Sequence, residues 1–264
     1  MDLDLAKRLE RTEGTICTSF AEPRNRVANV GAAHADFGGT FAIFDGVDSP
    51  LTQTFALGLF SPAGDAELAA IEAWFAERGT DTSHEVSPFA GVATLQALVA
   101  RGYQPIELSS VLVQPITERA MPAGLHVRAI DPGVDGATWA DTSVAGWSAE
   151  PALAAFIRTI AEVNVANREM THYLVERDGE PIATGSLGVC GDVALLAGAS
   201  TIPSARGLGA QAALLAKRLA DARARGCTVA MMAASVGSTS QRNAERNGFR
   251  VAYTRTKWHR ARSA

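Results

Sequence analysis

Basic residues are not in excess in this chain, and that shortfall removes one class of function at the outset. Lys and Arg number 24 against 28 Asp and Glu in 264 residues, for a formal net charge of -4 and a pI near 5.8. Nucleic-acid binding draws its affinity from clustered cations on phosphates, so no nucleic-acid partner is expected. Cysteine is scarce: Cys17, Cys190 and Cys227 lie far apart, form no CxxC pair and have no histidine at ligand spacing. That pattern argues against a disulfide framework or a zinc site, and no metal is expected. Long apolar runs are missing too, none approaching the roughly 20 residues that span a bilayer. The start, Met1-Asp2-Leu3-Asp4, is acidic and lacks the basic flank and apolar stretch of a secretory signal. The expectation is a cytoplasmic protein without a membrane partner, as a monomer or homodimer. What is present, 47% hydrophobic and 20% charged residues, suffices for one large core or two modest ones.

The two halves read alike. In the first, Asp65 to Gly79 has the spacing of a helix, with Leu68, Ile71 and Phe75 on one face and a glycine stop. An apolar-leaning segment to Pro88 follows, then a short helix ending Ala100-Arg101-Gly102-Tyr103 and an alternating strand from Ile106 to Ile116. In the second, Gln211 to Arg225 reads as a helix stopped by Gly226. It leads to a strand at Thr228–Met232, a short helix ending Glu245-Arg246-Asn247-Gly248-Phe249, and a last strand from Arg250. Gly79 matches Gly226 and Gly102 matches Gly248, which points to a diverged duplication. The polar segment Thr117–Gly124 is the linker candidate, giving domains 1–118 and 122–264.

Within the second domain, Leu125–Ile130 reads as a strand and Val134–Glu169 as helical, interrupted near Gly146-Trp147. Strands then follow at His172–Arg177, Pro181–Val189 and Val193–Ser200, separated by the Asp178-Gly179 and Gly191-Asp192 turns. An antiparallel meander feeding a strand-helix-strand unit implies an α+β fold, a mixed and mainly antiparallel sheet flanked by helices.

The segment that carries chemistry is Ala199-Ser200-Thr201-Ile202-Pro203-Ser204-Ala205-Arg206-Gly207-Leu208-Gly209-Ala210-Gln211. A strand runs through a proline turn into a glycine loop and a helix. Amides at a helix N-terminus have no intrahelical partner and sit at the positive end of the dipole, which suits a pyrophosphate. Gly207 and Gly209 admit close approach, and Arg206 adds a charge. One reading is an ordinary turn with a solvated arginine. A second is the dinucleotide fingerprint, which Gly207, Gly209 and Ala212 satisfy as letters. Its context fails, because the next strand ends Ala233-Ala234-Ser235 with no acid for a ribose, and an antiparallel meander precedes it.

The third reading is a family. From Leu195 to Tyr253 the chain resembles the GCN5-related N-acetyltransferases (GNATs), whose coenzyme loop follows a Pro-x-x-Arg turn with the pattern [RQ]-x-x-G-x-[GA]. Arg206 and Gly209 match its first and fourth positions, and Pro203 its turn; Gln211 departs at the sixth. The resemblance implies acetyl-CoA as cosubstrate and a small-molecule or peptide primary amine as acceptor. It implies that Ala199, Ser200 and Thr201 meet the pantetheine arm as an added strand would. It also implies that amides from Arg206, Gly207, Leu208, Gly209, Ala210, Gln211 and Ala212 hold the pyrophosphate.

Family members commonly carry a Tyr four residues before the Gly-Phe pair as acid toward the departing thiolate, where this chain has Ala244. Ser240 and Asn243, one turn apart, are the nearby hydrogen-bonding candidates, against plainer roles as a helix cap and an exposed residue. For the base, Glu22, Glu150, His172 and Tyr253 are candidates, Tyr253 also as a proton donor. The polar stretch Ala21–Arg26 reads as a solvated loop within reach of an acceptor. In the first half Asp65 and Glu67 stand where the repeat would place the phosphate loop, so a non-binding, degenerate copy is expected there. From a different class, a catalytically silent CoA-binding sensor or interaction module fits the same residues.

Overall fold

A computed structural model describes residues 2–47, 49–148 and 154–262. Their order is α1 (Leu3–Thr18), α2 (Ala21–Ala28), β1 (Ala33–Phe37), β2 (Thr40–Phe44), β3 (Gln53–Phe55), α3 (Asp65–Ala76), β4 (Thr82–Val86), α4 (Gly91–Ala100) and β5 (Gln104–Pro115). There follow β6 (His126–Ala129), α5 (Pro132–Ala145), α6 (Ala154–Ala166), β7 (Met170–Arg177), β8 (Glu180–Cys190), β9 (Val193–Thr201), α7 (Ala210–Ala224), β10 (Val229–Ser235), α8 (Thr239–Arg246) and β11 (Arg250–Arg260). The fold is mixed α+β with mainly antiparallel strands, as the alternation in the sequence implies. Contacts divide the chain into a first unit, Met1–Val113 with Ala233–Ala264, and a second, Gln114–Met232.

In the first unit β1, β2 and β3 form a meander, β4 runs parallel to β3, and β11 lies antiparallel to both β4 and β5. The sequence-level division groups residues 122–264 together, whereas α8 and β11 pack here with the N-terminal segment. Alternation along a strand marks its buried face but not its neighbour, so nothing local in Arg250–Arg260 names β4 as partner. The core on one side of this sheet is Leu57, Leu68, Ile71, Phe75, Val86, Leu98 and Tyr103. Leu68, Ile71 and Phe75 are the helix face that the spacing predicts. Ala21–Arg26, read from sequence as a loop, is instead the start of α2. Pro23 sits early enough that its missing N–H has no intrahelical partner to lose, Glu22 and Arg26 pair at i,i+4, and Asn29 closes the helix in the left-handed region.

In the second unit β6, β7, β8 and β9 are antiparallel neighbours and β10 runs parallel to β9. α5 and α6 pack together and α5 packs on β8 and β9, while α7 crosses β6 to β9. The long helical stretch read from the sequence is two helices, with α5 capped by Gly146 at the interruption. No helix among the described residues is long and apolar enough to cross a membrane.

The order helix, strand, helix, strand occurs twice, as α3-β4-α4-β5 and α7-β10-α8-β11, and all four helices end alike. Gly79, Gly102, Gly226 and Gly248 have φ of 71°, 84°, 82° and 88°. The next residue returns its N–H to the carbonyl five back: Thr80 to Phe75, Tyr103 to Leu98, Cys227 to Ala222 and Phe249 to Ala244. Glycine is the residue that adopts this αL turn at little cost, which is why these stops are visible in the sequence.

His84 on β4 is fully buried; its Nδ1 is 2.7 Å from Thr54 Oγ1, and burial pushes the imidazole down to about 3 from 6.5. The unfolded chain therefore takes up a proton that the folded one refuses as pH falls below about 6.5. This group then removes about 1.4 kcal/mol of stability per pH unit, down to the folded value. His84→Gln lacks this term. In urea titrations the stability advantage of the parent over His84→Gln should shrink as pH drops from 7 to 5, and a constant difference would contradict the assignment.

Candidate functional site

The site is built on an irregularity in β9. Against β8, Thr184 opposes Ser200 and Ser186 opposes Ala197, so β9 carries one residue more than β8 over this stretch. Gly198 and Ala199 together face Gly185, and Gly198 has φ +60°. This is a β-bulge with glycine in the left-handed position, which bends the strand and re-aims its last residues. On its other edge β9 is paired with β10 only over Val193–Leu195, so Leu196–Thr201 runs on past the last paired position. Gly198 and Ala199 are exposed along that run.

Pro203–Ala205 form a single 3-10 turn after β9, and Arg206 returns to extended backbone. Gly207 and Gly209 both adopt the left-handed region, φ 82° and 83°. Gly209 is the N-cap of α7 and supplies no side-chain acceptor to the first-turn amides. Most helices satisfy those donors with Ser, Thr, Asp or Asn, so an uncapped first turn behind the exposed loop Arg206–Gly209 is a ready site for an anion. A Cβ built on Gly207 would meet nothing within 4 Å, so the space over the loop is open.

The flanking candidates brace this loop. Arg206 Nη2 donates to Gly146 O at 2.9 Å, Gln211 Nε2 to Thr201 Oγ1 at 2.7 Å, and Ser200 Oγ to Ser143 O at 2.9 Å. Gln211, the departure from the family pattern, thus ties the first turn of α7 to the end of β9. Ala199, Ser200, Thr201, Arg206, Gly207, Leu208, Gly209, Ala210, Gln211 and Ala212 all lie together in the second unit.

The catalytic candidates do not gather there. Tyr253 is buried in the first unit, its Oη donating to Glu10 Oε1 at 2.6 Å, and Arg255 donates to the same oxygen at 2.7 Å. Burial and the Glu10 charge hold the Tyr253 phenol far above its ordinary range, so its proton is committed. Glu22 is an exposed residue of α2, paired at 3.7 Å with Arg26. His172 is buried; Nε2 donates to Asn167 O at 3.3 Å and Nδ1 therefore accepts from Ser186 Oγ at 2.8 Å. Burial lowers its pKa, so it is a neutral, fully engaged imidazole. Glu150 lies outside the described residues. Ser240 and Asn243 lie on α8, in the first unit. The cap of that helix is Ser238, which accepts from Gln241 N at 3.1 Å; Ser240, read as the alternative cap, is exposed in the first turn, and Ala244 is buried. No group of three or more His, Cys, Asp or Glu suited to a metal occurs among the described residues.

Residues 138–249 match the model of the Acetyltransferase (GNAT) family. This segment is similar to the GNAT acetyltransferases. The chain is similar in fold to a GCN5-related N-acetyltransferase from Kribbella flavida, with TM-score 0.65 and 19% identity over 95% of this chain and 96% of that one. It is likewise similar to one from Sphaerobacter thermophilus, TM-score 0.56 and 15% identity over 87% and 76% of the two chains. A tandem GNAT protein from the clavulanic acid biosynthesis pathway matches with TM-score 0.59 and 14% identity over 85% and 79%. No curated protein sequence matches the chain.

Gly198 escaped the sequence reading, though it was detectable as a lone glycine inside an apolar strand, the usual mark of a bulge. Gly146 was read as a break in the helical stretch, but its contact was not legible: a Cβ there would lie 1.8 Å from Ser200 Oγ and 3.1 Å from Thr201 N, because the end of α5 touches β9 at that point. Gly146→Ala must displace β9 and should lower stability by about 1–3 kcal/mol in urea unfolding, as overpacking does. Adding Ser200→Ala should recover part of the loss, and equal losses in the single and double variants would refute the contact.

Proposed function

We propose that the chain is an N-acetyltransferase that moves an acetyl group from acetyl-CoA to a primary amine of a small molecule or peptide, with the coenzyme held by the second unit. The observation that carries the proposal is the uncapped first turn of α7 behind two left-handed glycines, directly after the unpaired run of β9, inside the GNAT segment. The residues fit a CoA pyrophosphate: the amides of Gly207 and of Gly209 to Ala212 are the donors on offer, those of Arg206 and Leu208 already donating to Pro203 O and Ala205 O, and Glu67, which weakens the corresponding turn of α3, has no counterpart here. Ala199, Ser200 and Thr201 offer backbone groups for the amide-rich pantetheine arm in the manner of strand addition.

The reaction needs a neutral amine nitrogen to form a bond to the thioester carbonyl carbon while the C–S bond breaks. Backbone N–H groups of the β9 run serve the oxygen on which charge develops. Among the described candidates His172, Tyr253 and Glu22 are engaged elsewhere, and we take solvent as the acceptor of the amine proton. The departing sulfur has a cysteine-like pKa of about 8.5 and leaves as thiolate near neutral pH when hydrogen-bonded. With Ala244 at the position of the family's usual acid, Ser240 and Asn243 are our candidates for that hydrogen bond, and Ser240→Ala or Asn243→Ala should then lower kcat more than it raises KM for acetyl-CoA.

A CoA-binding module without turnover is the second reading, and buried Ala244 in place of the family's usual acid favours it. Release of free thiol from acetyl-CoA across a panel of primary amines separates the two: release above background supports the enzyme, and tight CoA binding with no release on any amine supports the module. In calorimetry one CoA should bind per chain. Gly209→Asp, which strains the αL position and places a carboxylate at the helix start, should weaken CoA by at least about tenfold. Two CoA per chain, or unchanged affinity in Gly209→Asp, would remove the loop assignment.

A further inference from the structure

The β9 bulge is gripped from both faces of the sheet. Neighbouring residues of a strand point to opposite faces, and Gly185 turns toward α7 while Ser186 turns toward α5. A Cβ on Gly185 would lie 2.5 Å from Leu214 Cδ2 and 3.3 Å from Arg218 Nη1, so the missing side chain makes room for α7 residues against the strand. Leu214 fills that space with the Arg218 guanidinium beside it, and Arg218 is 2% exposed. Its Nη1 donates to Ser186 O at 3.2 Å and to Ala197 O at 3.4 Å, one carbonyl on each strand, at the register position where the bulge begins. No salt bridge to Arg218 occurs among the described residues, its Nε has no hydrogen-bond partner, and burial pushes its pKa down to about 10. A buried cation without a carboxylate is destabilising relative to an apolar residue of similar size, so packing does not explain it. On the opposite face Ser186 Oγ is held by His172, and a Cβ on Gly198 would approach that oxygen to 3.1 Å.

We propose that Arg218 is a positioning residue: by bridging the carbonyls of Ser186 and Ala197 it fixes the β9 bulge, and through it the Gly198–Thr201 backbone that acyl transfer uses. The inference rests on the reading of β9 as the coenzyme strand. Ala197 O and Gly198 N–H belong to one peptide group, so donation to that oxygen also strengthens the N–H as a donor. Loss of Arg218 therefore acts on the reaction more than on coenzyme affinity, because a displacement on the order of 1 Å at reacting groups costs about 100-fold in rate.

Arg218→Met removes both hydrogen bonds, and Arg218→Lys keeps the charge but ends one bond short of the Nη1 position that reaches both carbonyls. In hydrogen exchange on the protein without coenzyme, amides of 196–201 should exchange at least about tenfold faster in Arg218→Met, with β7 peptides unchanged. With acetyl-CoA and an accepted amine, kcat should fall about 10- to 100-fold with KM for acetyl-CoA within about threefold, and Arg218→Lys should recover part of kcat. Parental exchange in 196–201, or parental kcat despite faster exchange, would overturn the proposal. If Arg218→Met does not fold, Arg218→Lys carries the same measurements, with smaller changes in the same directions. A parent protein that turns over no amine would instead defeat the reading of β9 as a catalytic strand, and the exchange result would still decide whether Arg218 holds the bulge.

Discussion

An antiparallel strand cannot absorb an extra residue without leaving part of its ladder unpaired, and the second unit is organised around that constraint. The extra residue at Gly198-Ala199 turns β9 away from regular pairing at the point where its pairing with β10 has already ended. Backbone groups that a sheet would otherwise consume are thereby left for a partner. Everything nearby serves to hold this arrangement: Arg218 takes carbonyls of both strands, Ser200 is tied to α5, Gly146 lets α5 touch the strand, and Gln211 joins Thr201 to α7. The uncapped turn of α7, our proposed pyrophosphate site, continues from the same strand, so the two proposed recognition elements share one origin.

The first unit shows what happens when the constraint is released. Its counterpart strand β3 is three residues long and runs into a turn with Ala56 at φ 66°, so no extended edge follows the parallel pair. At the start of α3, Asp65 and Glu67 complement the dipole from within, and Thr40 Oγ1 donates to Glu67 at 2.9 Å. Burial nevertheless raises the Glu67 pKa, a sign that the carboxylate is held where an anion is costly. On α1 and β11 the buried Glu10–Arg255 pair, at 2.7 Å, draws in Tyr253 as well. Removing one partner of such a pair strands the other charge in the interior at a cost of about 3–5 kcal/mol, so the pair fixes α1 against β11.

Much of this was legible because its causes are local. Glycine stops at 79, 102, 226 and 248 reflect a backbone conformation that only glycine adopts freely, so the helix ends and the repeated order could be read directly. The loop proposed for the coenzyme was legible as a loop for the same reason, through Gly207 and Gly209. The features that could not be read depend on pairing between distant segments: that β11 joins β4 and β5, that Tyr253 is spent on Glu10, and that His172 is a neutral link to Ser186. Each of these side chains has a reactive form in isolation, and burial beside a partner 14 to 243 residues away removes it. Arg218 was invisible for a further reason, since an arginine on an amphipathic helix reads as solvated until the glycine opposite it is located.

The most direct test is a crystal structure of the protein grown with CoA. The account predicts pyrophosphate density on the amides of Gly207 to Ala212 at the start of α7, pantetheine density beside Ala199–Thr201, and no coenzyme at α3. Density at the start of α3, or coenzyme bound away from β9, would contradict it.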